Sequence, residues 1–222
     1  MADTRRQPGI PRIYEGASAA VRLDELGLTV ELLSGAASRG DEGRQECTIF
    51  HPLQSRGHRM WSDTTAALRE ACLGLVAGWR IDRTNNFETV VQSENAIAIA
   101  VVGGDEYTGW RGDKEPKVRR KRGPITTQRV RDNYLGMEPL FSMKTALGED
   151  EPPDAWQTWF FLIRATDEAL WLELSHPIGL DNSGHVSTWS ERIILPQLPV
   201  SGGVTPIPDD GEGEDPFTIS KR

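Results

Sequence analysis

Residues 96–102 read Ala-Ile-Ala-Ile-Ala-Val-Val, the longest strongly apolar run in the sequence. Ile97, Ile99 and Val101 alternate with three alanines, as side chains do on the two faces of a β-strand. Because both faces are apolar, we expect this strand to lie in the interior of a sheet. The alanine face is small enough to let a helix approach closely.

Strand patterns flank this segment on both sides. Before it, residues 79–82 alternate in polarity and residues 88–92 are rich in β-branched side chains, with a turn of polar residues between them. After it, apolar side chains alternate in residues 159–163, 170–174 and 186–195, again separated by turn residues. The sequence therefore predicts two meanders of three strands each.

Two helices are predicted before the strands. Apolar residues recur at helical spacing from Leu23 to Ala37, with Gly27 inside the helix, and a second helix is capped by Ser62 or Asp63. Residues 39–61 are predicted as an irregular connection. The fold class is therefore α+β, with two N-terminal helices packed on a mainly antiparallel sheet built from the two meanders.

Composition divides the chain into four parts. With 222 residues, of which 37% are hydrophobic, it is long enough to bury a core. We expect a flexible arm at 1–16 and a single domain at 17–198. A long basic loop interrupts that domain at 103–124, and an acidic disordered tail follows at 199–222.

Targeting and redox features are few. The charged N-terminus has no apolar stretch behind it, so no secretory signal is predicted. The longest strongly apolar run, 96–102, is too short to span a bilayer. Cys47 and Cys72 are too few for a disulfide framework. We therefore expect a cytoplasmic protein with reduced thiols and no membrane partner.

Two stretches carry a family resemblance. The first runs from Gly78-Trp79 through Thr89-Val90-Val91 and Ile97-Ala98-Ile99-Ala100 to Gly104-Asp105-Glu106, and the second joins Trp171-Leu172-Glu173-Leu174-Ser175-His176-Pro177-Ile178 to Glu191-Arg192-Ile193-Ile194-Leu195-Pro196. They resemble uncharacterised bacterial proteins that are often carried on plasmids or other mobile elements. The resemblance implies a shared fold and a role in mobile-element biology. It brings no assigned activity and no catalytic residue.

The strongest anomaly in the sequence is its charge distribution. Between residues 111 and 131 stand nine bases and two acids, a balance of +7, so the rest of a chain of net charge −8 carries −15. Such a strip would admit phosphate to an otherwise anionic protein, and Trp110 at its edge could stack on a base. We predict that these residues bind nucleic acid or an acidic protein surface: Trp110, Arg111, Lys114, Lys117, Arg119, Arg120, Lys121, Arg122, Arg129 and Arg131. A solvated loop balanced by the acidic tail is the alternative.

Metal binding has one weak candidate. Cys47, His51 and His58 are zinc-compatible residues, separated by three and six residues. Cys72 falls on the apolar face of the second helix and is expected to be a core thiol. Whether the three residues bind zinc stays open, and we predict no metal or cofactor.

Catalytic patterns are missing from the sequence. Glu88, Glu173 and Glu191 lie on strands, but none is followed two residues later by the lysine of a common nuclease pattern. The ordinary role of Glu173 and Glu191 would be polar positions on edge strands, paired with Arg192 or Arg164 across the sheet. Adjacent strand residues point to opposite faces, so Ser175 and His176 cannot act together.

Three functions follow in order of preference. The first is a non-enzymatic binding protein of a mobile element that docks nucleic acid through the basic loop. The second is a protein-binding inhibitor or adaptor of a host defence or nucleic-acid-processing complex. The third is a metal-dependent hydrolase, whose carboxylates would have to converge in space.

Overall fold

The structure, a computed structural model, describes residues 10–75, 78–136 and 156–200. The helices and strands found there are β1 (Arg12–Tyr14), α1 (Ala17–Glu25), α2 (Val30–Gln45), α3 (Ser55–Leu73), β2 (Trp79–Asp82), β3 (Thr89–Gln92), β4 (Ile97–Gly103), α4 (Pro124–Gly136), β5 (Gln157–Ala165), β6 (Ala169–Leu180), β7 (Val186–Ile194) and β8 (Leu198–Pro199). These elements confirm an α+β fold. Within those three ranges, no helix is both long and apolar enough to cross a membrane.

Both predicted meanders are present and join in one sheet. β2–β3–β4 and β5–β6–β7 are antiparallel, and the strand order is β1-β7-β6-β5-β4-β3-β2, with β8 beside β6. The β4–β5 and β1–β7 pairs are parallel. The sheet is therefore mixed and has eight strands in the described ranges, which corrects the prediction of a mainly antiparallel sheet built from the two meanders. A parallel neighbour needs a long crossover, and the chain between Gly103 and Gln157, which includes α4, supplies it.

The sheet includes residues near both predicted boundaries of the domain, at 16/17 and 198/199. Residues 12–14 fall inside the predicted arm, yet they form β1 and pair with β7. Residues 198–199 pair with the start of β6. Strands this short have no periodicity to detect in a sequence. Residues 1–9 and 201–222, which make up most of the predicted arm and tail, lie outside the described residues.

The sheet separates two apolar cores. On one face, called here the helical face, Ile97, Ile99 and Val101 pack in a core shared with α1, α2 and α3. On the opposite face, called the loop face, the small side chains of β4 meet Val118 of the basic loop and Val130 of α4. The two-residue alternation of β4 and its place in the sheet interior are confirmed.

Three helices, rather than the predicted two, lie between β1 and β2. α1 ends at Glu25, and Gly27 follows with a φ of 70°, a left-handed conformation that favours glycine. Thr29 then begins α2 by accepting a hydrogen bond from the Leu32 amide at 3.1 Å. The apolar periodicity runs through this break, which is why residues 23–37 suggested one helix.

Close packing of α2 against α3 explains a second correction. Helical structure extends to Gln45 and resumes at Ser55, so most of the predicted connection at 39–61 is helical and α3 starts before its predicted cap. A Cβ at Gly40 would overlap the Thr64 hydroxyl and stand 2.7 Å from the Met60 carbonyl oxygen. Gly40 therefore allows the two helices to touch, although glycine in a sequence pattern often indicates a helix end.

On the loop face, α4 is fixed by one buried amide. Asn133 donates hydrogen bonds to the carbonyl oxygens of Thr158 and Pro177 and accepts one from the Thr158 amide, all at 2.8 Å. The amide thus joins α4 to β5 and β6 together. This contact sets the position of the helix that follows the basic loop.

A buried histidine lies on the helical face of β6. The His176 ring packs against Trp159, with centroids 5.0 Å apart, and its Nδ1 lies 2.6 Å from the Ser190 hydroxyl oxygen. No described residue forms a hydrogen bond with its Nε2. Burial, and then the charge of Arg22, lowers the pKa of His176 to about 4. The imidazole is therefore neutral in the native protein at pH 7.

We expect Gly40→Ala to lower the free energy of unfolding by about 1–3 kcal/mol, because the added methyl group overfills the α2–α3 contact. Gly35 lies in the same helix with open space where a Cβ would stand. The matched Gly35→Ala is expected to raise stability by about 0.5–1 kcal/mol, the helix propensity difference. Urea unfolding followed by circular dichroism measures both, and equal effects of the two substitutions would contradict the contact.

We expect the protein to lose stability as the pH falls from about 6.5 to about 4, by roughly 3 kcal/mol from His176 alone. The unfolded chain binds a proton on this imidazole near pH 6.5, whereas the folded protein resists protonation until about pH 4. This contribution to stability is therefore complete above pH 6.5, the pKa of His176 in the unfolded chain, and is lost as the pH falls to about 4, its pKa in the folded protein. Urea titrations at several pH values measure it. His176→Asn, which does not titrate, should show a shallower slope, and an unchanged slope would refute the assignment.

Candidate nucleic-acid interface

The basic loop predicted at 103–124 is held in place across the loop face of the sheet. Val118 is fully buried and pairs with Gly104 in an isolated β-bridge. Hydrogen bonds attach the loop to β4, to β7 and to the turn before β7: Val118 N to Val186 O at 2.9 Å, Arg119 N to Gly103 O at 2.9 Å, Arg122 N to Gly184 O at 3.2 Å and Trp189 Nε1 to Pro116 O at 2.8 Å. The loop therefore presents its basic side chains from a fixed backbone.

Four consecutive bases, Arg119–Arg122, form what we call the cationic segment, immediately before α4. Arg120 and Lys121 are exposed, and Arg122 is partly buried. In the described ranges, no acidic side chain forms an ion pair with Arg120, Lys121 or Arg122. Positive charge is thus concentrated here, and no described carboxylate pairs with these three side chains.

Arg122 shows the electrostatic consequence. Its Nε is buried and has no hydrogen-bond partner among the residues that the structure describes. Burial, and then the charge of Arg120, lowers the pKa of Arg122 to about 10. The guanidinium stays protonated at neutral pH, but in a setting where an additional negative charge would stabilise it.

The other bases of the predicted strip are placed separately. Arg111 forms an exposed ion pair with Glu15, and Lys114 bonds to the Tyr107 hydroxyl. Lys117 bonds to Asp181 at 3.1 Å. The pKa of Asp181 is lowered to about 2, first by the His185 backbone amide and then by Lys117.

Two bases lie on α4. Arg131 is exposed, and Arg129 is near Asp82. Although burial by itself would raise the Asp82 pKa, hydrogen bonds from Thr84 and the charges of Arg129 and Arg80 lower it. The predicted bases therefore do not form one continuous strip. Residues 119–122 stand together, and the other bases lie apart from them, most with partners of their own.

Trp110 lies at the other end of the loop and leaves 53% of its surface exposed. Its ring packs on Trp171, with centroids 6.3 Å apart and the planes tilted by 55°. Its backbone carbonyl accepts a hydrogen bond from the Arg192 guanidinium at 3.1 Å. The predicted stacking residue is thus accessible and attached to the sheet.

Beneath Trp110 lies the most deeply buried ion pair of the described structure. Arg192 and Glu173 are 2.6 Å apart, with side chains 1% and 0% exposed. Glu173 also accepts hydrogen bonds from the Gly109 amide at 2.9 Å and the Ser175 hydroxyl at 2.8 Å. The predicted pairing of Glu173 with Arg192 is confirmed. The predicted edge position is wrong, because β6 and β7 both have strands on either side.

The other two carboxylates that were predicted on strands form different ion pairs, and Glu88 lies just before β3. Glu88 bonds to Arg69 at 2.5 Å, and Glu191 bonds to Arg22 at 2.8 Å. In the part of the chain that the structure describes, no three histidine, cysteine or acidic side chains are placed to hold a metal ion.

The zinc candidates share one cavity without forming a ligand set. Cys47, His51 and His58 line a surface cavity of about 430 Å³ between α2 and α3. The Cys47 thiol donates to the Gly43 carbonyl oxygen at 3.8 Å, and His51 Nδ1 accepts from the Thr48 amide at 3.0 Å. The three residues are close together, as their sequence spacing suggested. However, the Cys47 thiol and the His51 ring bond to nearby backbone, and the described residues form no cluster of three metal ligands here.

Cys72 lies elsewhere, in the core of the helical face. It is fully buried, and burial raises its thiol pKa to about 12. The prediction of a core thiol is confirmed.

We expect Glu173→Met to lower the free energy of unfolding by about 3–5 kcal/mol, because it leaves the Arg192 charge buried without a partner. The double variant Glu173→Met/Arg192→Met should be less destabilised, since it buries no charge. Trypsin should also cut the double variant faster than the wild type at Arg111 or Lys114, because Gly109 and Trp110 lose their hydrogen bonds to Glu173 and Arg192. Urea unfolding and limited proteolysis test this. If the double variant is destabilised by as much as Glu173→Met and Arg192→Met added together, or if trypsin cuts it no faster, the pair does not hold the loop.

No family model, curated protein or solved structure matches this chain.

Proposed function

We propose that the protein binds nucleic acid through the cationic segment, Arg119–Arg122. The observation that carries the proposal is the cluster of Arg120, Lys121 and Arg122, which no described carboxylate neutralises, in a chain of net charge −8. Phosphate groups are the common ligands of such arginine and lysine clusters. The resemblance to proteins of mobile elements makes a role in their biology part of this proposal.

Backbone order supports the same function. The hydrogen bonds from Arg119 to Gly103 and from Arg122 to Gly184 fix the two ends of the segment. A fixed backbone has less conformational entropy to lose on binding than a free loop. Positive charge on this segment is therefore available to a ligand at a low ordering cost.

The start of α4 adds a further favourable field. The helix begins at Pro124, directly after the segment, and has no acidic residue in its first turn. The positive end of the helix dipole thus lies beside the four bases and would favour an anion there.

We expect Arg120→Gln/Lys121→Gln to weaken binding of a labelled oligonucleotide by about 10- to 100-fold at moderate salt, because two phosphate contacts are lost. The slope of log affinity against log salt should become shallower by about 2. Fluorescence anisotropy over a range of salt concentrations measures both quantities. Arg39→Gln/Arg83→Gln removes the same charge from exposed positions elsewhere and should change binding much less.

Equal loss in the two double variants would mean that net charge, and not this segment, controls binding. No binding by the wild type at low salt would contradict the proposal. It would favour the alternative of a protein-binding inhibitor or adaptor, for which the loop between α2 and α3 offers apolar anchors: Ile49, Phe50 and Leu53 are 76%, 90% and 76% exposed.

A further inference from the structure

Trp110 is exposed, but its ring and backbone are both held. The indole packs on Trp171, and a Cβ on Gly112 would collide with its Nε1 edge. Its backbone amide donates to the Tyr107 carbonyl oxygen at 3.2 Å. The ring therefore has one supported side and a large exposed surface.

The preceding residue fits only as glycine. Gly109 has a φ of 70°, and a Cβ there would lie 3.1 Å from both the Leu172 amide nitrogen and the Trp171 Cβ. Its own amide donates to Glu173. This close approach brings the loop backbone onto β6 and sets the position of the indole.

The ion pair beneath Trp110 suggests why the indole is fixed. A buried ion pair contributes little net stability compared with apolar residues of the same size. Here Glu173 accepts a hydrogen bond from the Gly109 amide as well as from Ser175, and Arg192 donates one to the Trp110 carbonyl oxygen. The arrangement therefore positions an exposed aromatic ring, a residue type that forms binding hot spots.

Charge on the residues that follow Trp110 in the loop favours a nucleic acid over a protein. Arg111 is 65% exposed, and its ion pair with Glu15 lies at the surface, where such pairs are weak and a phosphate can replace the carboxylate. Lys114 bonds to the Tyr107 hydroxyl at 2.9 Å and lies 5.0 Å from its ring centroid. An exposed indole that is followed within four residues by two accessible cations suits a base and its neighbouring phosphates.

We propose that Trp110 stacks on an unpaired base, so that the preferred ligand is single-stranded nucleic acid. The inference rests on the proposed function and adds the substrate class. Bases in a duplex are stacked on one another and do not present a free face, whereas every base of a single strand does. The cationic segment would bind phosphates of either form, and Trp110 would distinguish between them.

The test uses the full chain with labelled oligothymidylate and with the same strand annealed to its complement. Trp110→Ala should weaken single-strand binding by about tenfold or more, since a stacking contact is lost, and should leave duplex binding unchanged. Trp110→Phe should retain most of the preference because it keeps an aromatic face. Trp61 is also exposed but lies on α3, away from the loop. Trp61→Ala is therefore the matched control and should change the affinity for neither probe. Binding of the strand should quench tryptophan fluorescence in the wild type and less in Trp110→Ala.

Several outcomes would overturn the inference separately from the proposed function. If the wild type binds both probes equally, or if Trp110→Ala weakens both equally, Trp110 is not a base-stacking residue, while binding at the cationic segment stands. If Arg120→Gln/Lys121→Gln changes neither affinity, the proposed function fails instead. If the wild type binds neither probe and Trp110 is needed to bind a protein, both proposals fail.

Discussion

Glu173 and Arg192 face each other on the loop face of β6 and β7, almost completely out of contact with water. Two charges in such a place are tolerated only when each has a partner and its other hydrogen bonds are made. The carboxylate meets this demand with Gly109 and Ser175, and the guanidinium with the Trp110 carbonyl. Since two of these partners belong to the loop, the sheet cannot keep its charged pair satisfied unless the loop is in place.

The same loop has two exposed chemical features at different ends. Trp110 lies above the buried pair, and Arg119–Arg122 precede α4. The backbone between them reverses direction, because Asp105 pairs with Lys117 and Gly104 with Val118. An aromatic surface and a cationic surface are therefore fixed relative to one scaffold, which is what separate recognition of base and phosphate requires.

Strands whose pattern is local could be predicted from the sequence, because a two-residue alternation needs no knowledge of the rest of the chain. The parallel pairing of β4 with β5 could not, since it depends on the path of a long crossover. Gly27 and Gly40 show the same limit in the helices. One breaks a helix within a continuous apolar pattern, and the other allows a helix contact where a helix end was expected.

For the candidate site, the excess of bases was visible in the sequence, but which of them pair with carboxylates was not. Arg111 and Lys117 each pair with a carboxylate far along the chain, and such pairings depend on the fold. The role of Glu173 was also hidden. A single acid in an alternating strand is typical of a solvent-facing position, and the loop that covers it is distant in sequence.

The hydrogen bond between Trp189 and Pro116 joins residues 73 positions apart. During synthesis, the loop residues leave the ribosome well before the β7 residues that anchor them. Contacts of such long range form late and slowly. A nascent chain that ends before β7 would carry the loop without the Val186 and Trp189 contacts that hold it, so the loop would become ordered only after β7 has been made.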